Sequence, residues 1–340
     1  MKHILVAGGG LIGARHVQAV QAHTDCQLMG LVDPNPNVPT PPGVTRYTDM
    51  TEVTAQVDGI ILATPTHLHG EQGEYAASRG WHMLIEKPVA GDLGAAEALK
   101  RAVAAAHVGS LVGHHRRYHA SVGQLKALIT EGQIGTPISA NLIWAMRKPD
   151  TYFEGNWRTD GGSPVMINLV HDIDLLRFVL GEIATVTALR GKGQRGHDRI
   201  ESGAIALAFE NGATGTISFA DTTPSPWGFE AATGENPNIG TTGQDMMWIM
   251  GTKGAISFPS LTLWAGQEWG TAAEKVSLAK HDNTQTPLDA QLDHFLDVMA
   301  GATPLIDVAD ATRTLEIALQ IETQLARQTQ GEYHARRALA

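Results

Sequence analysis

Over the first 119 residues, short unbroken apolar runs alternate with longer stretches of helical spacing. The runs at 3–7, 27–32, 58–63, 82–85 and 107–113 show no polar alternation, as expected of strands buried on both faces of a parallel sheet. Between them, 14–22, 70–79 and 91–106 read as helices and 48–57 as a shorter one, with a proline-rich loop over 34–43. This βα alternation predicts a doubly wound parallel sheet closing near His119. Beyond it the pattern changes. Helices are expected at 121–131, 164–180, 287–299 and 307–328, and strands at 137–147, 183–190, 202–210, 213–220, 246–250, 255–258 and 261–265. Asn211-Gly212 reads as a two-residue hairpin turn. The expected division is an α/β chain with a Rossmann-type domain over 1–119 and a second domain over 120–340.

Polar chemistry gathers at the strand ends, where open α/β sheets bind ligands. The first strand runs into Gly8-Gly9-Gly10-Leu11-Ile12-Gly13, and a helix follows. Gly8, Gly10 and Gly13 fit G-x-G-x-x-G: a tight turn, close backbone approach to a pyrophosphate, and close helix–strand packing, with the helix N-terminus facing the negative charge. Asp33 ends the second strand, where a carboxylate accepts hydrogen bonds from the adenosine ribose. No Arg or Lys adjoins it in Pro34-Asn35-Pro36, which favours NAD over NADP. Thr64-Pro65-Thr66-His67 follows a third strand, and Glu86-Lys87-Pro88 follows 82–85. An acid–base pair at such a strand end is a candidate for chemistry; the competing reading is solvated charge where the strand emerges.

In the second half, Ser163 is suited to cap a helix and Pro164 to begin it, with Gly181 closing it. Met166, Leu169, Val170, Ile173, Leu176 and Leu180 form its apolar stripe, and Asn168, His171, Asp172 and Leu175 lie on another face. Trp157 and Arg158 just before it, Trp227 in a long loop at 222–243, and Arg117 are candidate substrate contacts. That loop, which also holds Phe229, Glu230 and Glu235, is expected to line a pocket or to meet another subunit.

Composition narrows the partners. A net charge of −10 argues against nucleic acid and anionic membranes, and no run of about 18 apolar residues or secretory leader is seen. The single cysteine, Cys26, fits a reducing cytoplasm. His114, His115 and His119 cluster without carboxylates at metal-binding spacing, so no metal is expected.

The glycine turn, Asp33, Thr64-Pro65 with His67, and above all Glu86-Lys87-Pro88 occur in the order and at the spacings of the Gfo/Idh/MocA oxidoreductases, which this chain resembles. The resemblance implies a second domain with a large, mostly antiparallel sheet, and a homodimer or homotetramer formed through it. It also implies that Lys87 and His171 act together on a substrate hydroxyl, with Glu86 among the cofactor contacts. The family often has an aspartate four residues before the histidine; here that position is Ile167, and Asn168 stands three before. The expectation is an NAD-dependent dehydrogenase acting on a sugar, inositol or related cyclic polyol. The alternatives are the same chemistry on a carboxylate-bearing substrate, suggested by His115, Arg116, Arg117, Arg147 and Arg158, or a non-catalytic dinucleotide-binding regulator.

Overall fold

The five short apolar runs and one further three-residue strand form β1 (Lys2–Ala7), β2 (Cys26–Val32), β3 (Thr45–Tyr47, the further strand), β4 (Gly59–Leu62), β5 (His82–Ile85) and β6 (Ser110–Val112). They assemble into a six-stranded sheet, parallel throughout, in the order β3-β2-β1-β4-β5-β6. The computed structural model describes residues 1–153, 163–196, 199–236, 238–266, 269–270, 273–276 and 285–328. Ile4 to Ala7, Ile60 to Leu62 and Met83 to Ile85 are buried without alternation, as strands covered on both faces must be. The crossovers carry α1 (Leu11–Ala22), α2 (His69–Ser78) and α3 (Leu93–Ala106). Asp92 caps α3, its carboxylate accepting from Ala95 N. The helix expected at 48–57 shrinks to a single 3₁₀ turn, Met50–Glu52. Val53, Thr54 and Val57, all β-branched, disfavour its continuation.

A second, eight-stranded sheet follows, with β7 (Pro137–Ala145), β8 (Ile183–Arg190), β9 (Ser202–Phe209), β10 (Thr214–Ala220), β11 (Met247–Gly251), β12 (Gly254–Phe258), β13 (Thr262–Ala265) and β14 (Glu274–Val276). Its order is β14-β13-β12-β11-β7-β10-β9-β8, antiparallel except where β10 runs parallel to β7. One face packs Leu142, Trp144, Ile205, Leu207, Ile217 and Ile249 into a core that also holds residues of α4 (Ala120–Thr130) and α5 (Val170–Leu180). On the other face Asn141, Ala204, Ala206, Thr216, Ser218 and Trp264 are exposed. The β9–β10 hairpin has a three-residue loop instead of the expected two. Gly212 N donates to Phe209 O (3.0 Å), and Gly212 alone takes the left-handed conformation, at φ 87°. Asn211 instead closes the corner with its side chain, donating to Leu180 O and accepting from Ala213 N. The 222–243 stretch contains a short helix, α6 (Phe229–Thr233), whose Phe229 is fully buried.

The chain divides into two compact units, Met1–Tyr118 with Thr284–Glu316, and His119–Asn283 with Ile317–Ala340. The first unit is therefore not one contiguous stretch. It is completed by α7 (Pro287–Met299) and the start of α8 (Val308–Ala326). Phe295 and Met299 pack so tightly on β4 that a Cβ on Gly59 would lie 3.0 Å from the Phe295 ring. Gln291 donates to Val112 O (3.2 Å), and Val112 N donates to Ile306 O (3.0 Å).

Candidate active site

The glycine turn of the first unit is built around missing side chains. Gly8 sits at φ 92°, and a Cβ there would come 2.4 Å from Ala63 O. A Cβ on Gly13 would come 1.9 Å from Gly8 O, so α1 rests directly on the turn. At Gly10 a Cβ would meet nothing within 4 Å, which leaves the backbone open to a ligand. The first turn of α1 has no acidic residue and no side-chain cap, so its amide dipoles favour an anion. These features fit a dinucleotide pyrophosphate.

Asp33 lies beside this turn. Its Oδ2 accepts from Gly9 N (2.7 Å) and its Oδ1 from Asn35 N (2.8 Å), which fixes the carboxylate at the end of β2. A cation does adjoin Asp33, because β3 pairs with β2 and brings in Arg46, whose Nη1 donates to Asp33 O at 2.9 Å. The partner is thirteen residues away in sequence.

At the end of β5, Glu86 turns inward and is buried, while Lys87 is half-buried. The Glu86 carboxylate accepts from His16 Nε2 (2.8 Å) and Lys87 N (3.2 Å). Burial alone would push this carboxyl up. The His16 hydrogen bond and charge, with His115 and Lys87, outweigh burial and hold it down at about 2. His16 stands one turn after Gly13 on the buried side of α1, so the glycine turn and Glu86-Lys87-Pro88 share one interior bond.

Thr64 donates to Gln72 Oε1 (2.5 Å), and Pro65 opens a 3₁₀ turn, Thr66–Leu68. His67 is exposed. The interior histidine of this segment is His69, bonded to Pro88 O (2.8 Å) and Thr64 O (2.9 Å), which ties the β4 turn to the β5 turn. Burial pushes its imidazole below the ordinary range.

The second unit supplies the other candidates. Ser163 Oγ accepts from Val165 N (3.0 Å) and Met166 N (3.4 Å), as an N-cap should, and also donates to Glu322. The segment then departs from expectation: Val165–Leu169 is a π-turn, and regular helix begins with α5. Such widened turns are frequent at functional sites. Nor does α5 keep a polar face turned outward, since every residue from Val170 to Arg177 is buried, His171 at 7% and Asp172 at 0% exposure. Asn168 is half-buried, its Oδ1 accepting from Lys148 Nζ (2.6 Å) and its Nδ2 donating to Glu230 Oε1 (3.4 Å).

Of the other expected contacts, Arg117 is buried in the first unit. It donates to Leu305 O (3.0 Å) and Asp310 Oδ2 (2.8 Å), which makes it a tie between segments of that unit. Trp227 is 39% exposed in the second unit. Trp157 and Arg158 lie outside the described residues. Sequence reasoning missed His16, His69, Lys148 and Arg46. His16 alone had a local signal, a histidine inside the apolar stripe of a helix. Among the described residues no group of three metal-binding side chains occurs, and no helix is long and apolar enough to cross a membrane.

Comparison with known proteins places both units. Residues 2–114 match the model of an oxidoreductase family with an NAD-binding Rossmann fold, and residues 122–257 match the GFO/IDH/MocA C-terminal domain. The chain is 34% identical over 193 residues to a 1,5-anhydro-D-fructose reductase of Ensifer adhaerens, covering 54% of this chain and 57% of that protein. It is 26% identical over 283 residues to a scyllo-inositol 2-dehydrogenase (NAD(+)) of Bacillus subtilis (strain 168), covering 77% of this chain and 74% of that one. Among solved structures, an Agrobacterium radiobacter oxidoreductase crystallised with NAD+, L-tartaric acid and magnesium shares the fold at TM-score 0.78 and 18% identity, covering 96% of this chain and 97% of that one. With its two halves matched by models of one family, the chain belongs to the GFO/IDH/MocA oxidoreductases, and its first unit is their NAD-binding Rossmann fold.

Proposed function

We propose that this chain is an NAD-dependent dehydrogenase that oxidises a secondary alcohol of a sugar, inositol or related cyclic polyol. The observation that carries the proposal is Lys87 at the carboxyl end of β5 in a nucleotide-binding sheet, next to a Glu86 anchored from within by His16. The names of relatives support the substrate class: scyllo-inositol 2-dehydrogenase, 1,5-anhydro-D-fructose reductase and D-apiose dehydrogenase. In this reading Gly8, Gly10, Leu11, Ile12 and Gly13 hold the pyrophosphate. Asp33 holds the adenosine ribose, its charge opposing a 2′-phosphate. Thr64, Pro65, His67 and Glu86 complete the cofactor contacts.

Bound NAD supplies the hydride acceptor. The chain's own residues manage the proton and the charge. His171 takes the hydroxyl proton, since the ring nitrogen of a neutral imidazole accepts a hydrogen bond and can act as a general base. Lys87 donates a hydrogen bond to the same oxygen and stabilises the negative charge that develops there. Asn168 and Trp227 contact the substrate. The alternative of a carboxylate-bearing substrate is weakened at Arg117, which is buried and whose Nη1 is engaged by Asp310 and Leu305.

The test is to measure Lys87→Ala and His171→Ala for NAD affinity and for NADH formation across a panel of polyols. We expect kcat to fall by about 10²–10⁴ with NAD affinity retained, the ordinary worth of a placed acid or base. Near-normal turnover in both variants would refute these assignments. The proposal extends to a homodimer or homotetramer formed through the exposed, small-residue face of the eight-stranded sheet, acting in the cytoplasm; light scattering of the purified chain tests the assembly. The exposed apolar Leu189 and Trp264, at 63% and 42%, support that face as a contact surface.

A further inference from the structure

The Asn168 amide is held between opposite charges. Lys148 lies just beyond β7, is only 6% exposed, and has its ammonium over the rings of Trp144 (5.2 Å) and Tyr152 (5.0 Å). It donates to Asn168 Oδ1 at 2.6 Å. From the other side Glu230, on α6 and 9% exposed, accepts from Asn168 Nδ2 at 3.4 Å. An ammonium can only donate and a carboxylate only accept, so the two charges settle which end of the amide is oxygen.

This orientation determines what a ligand can find there. A primary amide offers two N–H donors and two acceptor positions. One of each is used, leaving one donor and one acceptor. A hydroxyl group, which both donates and accepts, satisfies both. A carboxylate can satisfy only the donor and leaves the oxygen unmatched; that donor is on the nitrogen, the end of the amide bonded to Glu230, whereas Lys148 is bonded to the oxygen end, so the carboxylate is brought to the like charge and not to the ammonium. Position in the helix reinforces the point. Between Ser163 and Arg177 only Met166, Ile167 and Asn168 are partly exposed, so Asn168 is the one polar side chain of that run with an open edge.

We propose that Asn168 reads a neutral hydroxyl of the substrate, that Lys148 and Glu230 are the positioning residues that fix its orientation, and that Glu230 restricts the substrate to uncharged polyols by excluding a carboxylate. This rests on the catalytic reading above and makes it more specific. It also joins three segments that no local pattern connects.

The test uses the full chain with NAD and matched neutral and acidic probes: D-glucose with D-glucuronate, D-galactose with D-galacturonate, and myo-inositol. For each, kcat and KM are measured in the wild type, Glu230→Gln, Glu230→Asp and Asn168→Leu, with NAD binding followed by fluorescence as a control for folding. The wild type should prefer the neutral member. Glu230→Gln should shift the acid-to-neutral ratio of kcat/KM towards the acid by at least about tenfold, and Glu230→Asp should restore most of the discrimination. Asn168→Leu should raise KM for the neutral probe about tenfold or more while kcat changes less. Turnover with an unchanged ratio in a Glu230→Gln protein that still binds NAD would overturn the assignment of Glu230 and leave the dehydrogenase reading standing. A wild-type preference for the acid would do the same. No turnover of any probe, with NAD bound, would overturn the catalytic reading and this inference with it.

Discussion

Replacing His16 by alanine probes the interior of the first unit without touching its surface. In the folded chain the Glu86 carboxyl is held at about 2, against an ordinary value of 4.5, although burial opposes its ionisation. At about 1.4 kcal/mol for each tenfold change in proton affinity, the fold favours ionised Glu86 by about 3 kcal/mol. His16 supplies the largest favourable parts of that preference. Without it the carboxyl keeps His115 and Lys87 but loses its 2.8 Å partner, and the cost of breaking a buried pair from one side is about 3–5 kcal/mol. We expect His16→Ala to lose about 3 kcal/mol at pH 7, or about 6–12 °C in Tm for a unit of this size. Because the folded carboxyl is depressed, its stabilisation is complete above pH 4.5 and is lost as pH falls through about 2. The gap between wild type and variant should therefore narrow below pH 4.5. Urea unfolding followed by far-UV circular dichroism at pH 7 and pH 3.5 measures this, and repeating it on a Glu86→Gln background completes a double-mutant cycle. On that background His16→Ala should cost less than about 1 kcal/mol. Two results would show that the pair does not hold the unit together: equal midpoints for wild type and His16→Ala, or an undiminished cost of His16→Ala once Glu86→Gln is in place.

Three further outcomes are expected. Burial pushes the Glu322 carboxyl up to about 7, so its ionisation penalises the fold above that pH and not below 4.5. Glu322→Gln should stabilise the chain by about 2 kcal/mol at pH 8, after discounting for partial exposure, and by nothing at pH 4; thermal melts at the two pH values decide it. Asp33→Asn keeps an acceptor for Gly9 N but removes the charge opposing a 2′-phosphate while Arg46 stays nearby. It should shift the NADP-to-NAD ratio of kcat/KM by about tenfold, worth about 1.4 kcal/mol, in initial-rate assays. Gly13→Ala would place a Cβ 1.9 Å from Gly8 O, and calorimetry should find NAD affinity lost.

The Rossmann sheet was readable because its strands are covered on both faces, and unbroken runs such as Ile60 to Leu62 leave little room for another assignment. The strands that escaped notice, β3 and β14, have three residues each, too few for a period to show. Hidden in the same way were the partners that depend on tertiary proximity. Arg46 meets Asp33 only because β3 pairs with β2, and Glu230 meets Asn168 across a separation of 62 residues. His67 and His69 are two residues apart, and nothing local says which of them faces the interior. The α5 segment was legible as a helix from Ser163 and Gly181, but its burial on all sides was not, because Asp172, Asp174 and Arg177 look like surface residues in sequence.

The return of the chain to its first unit bears on the order in which the protein can mature during synthesis. Domains that occupy one stretch fold as that stretch leaves the ribosome, N-terminal first. Here Met1–Tyr118 emerges early without α7, which covers Gly59, and without Asp310, which pairs with Arg117. The nucleotide-binding unit, first in sequence, is thus completed only after most of the second unit has been made. Until then the nascent chain carries an uncovered sheet surface at Gly59 and an interior arginine that lacks its carboxylate.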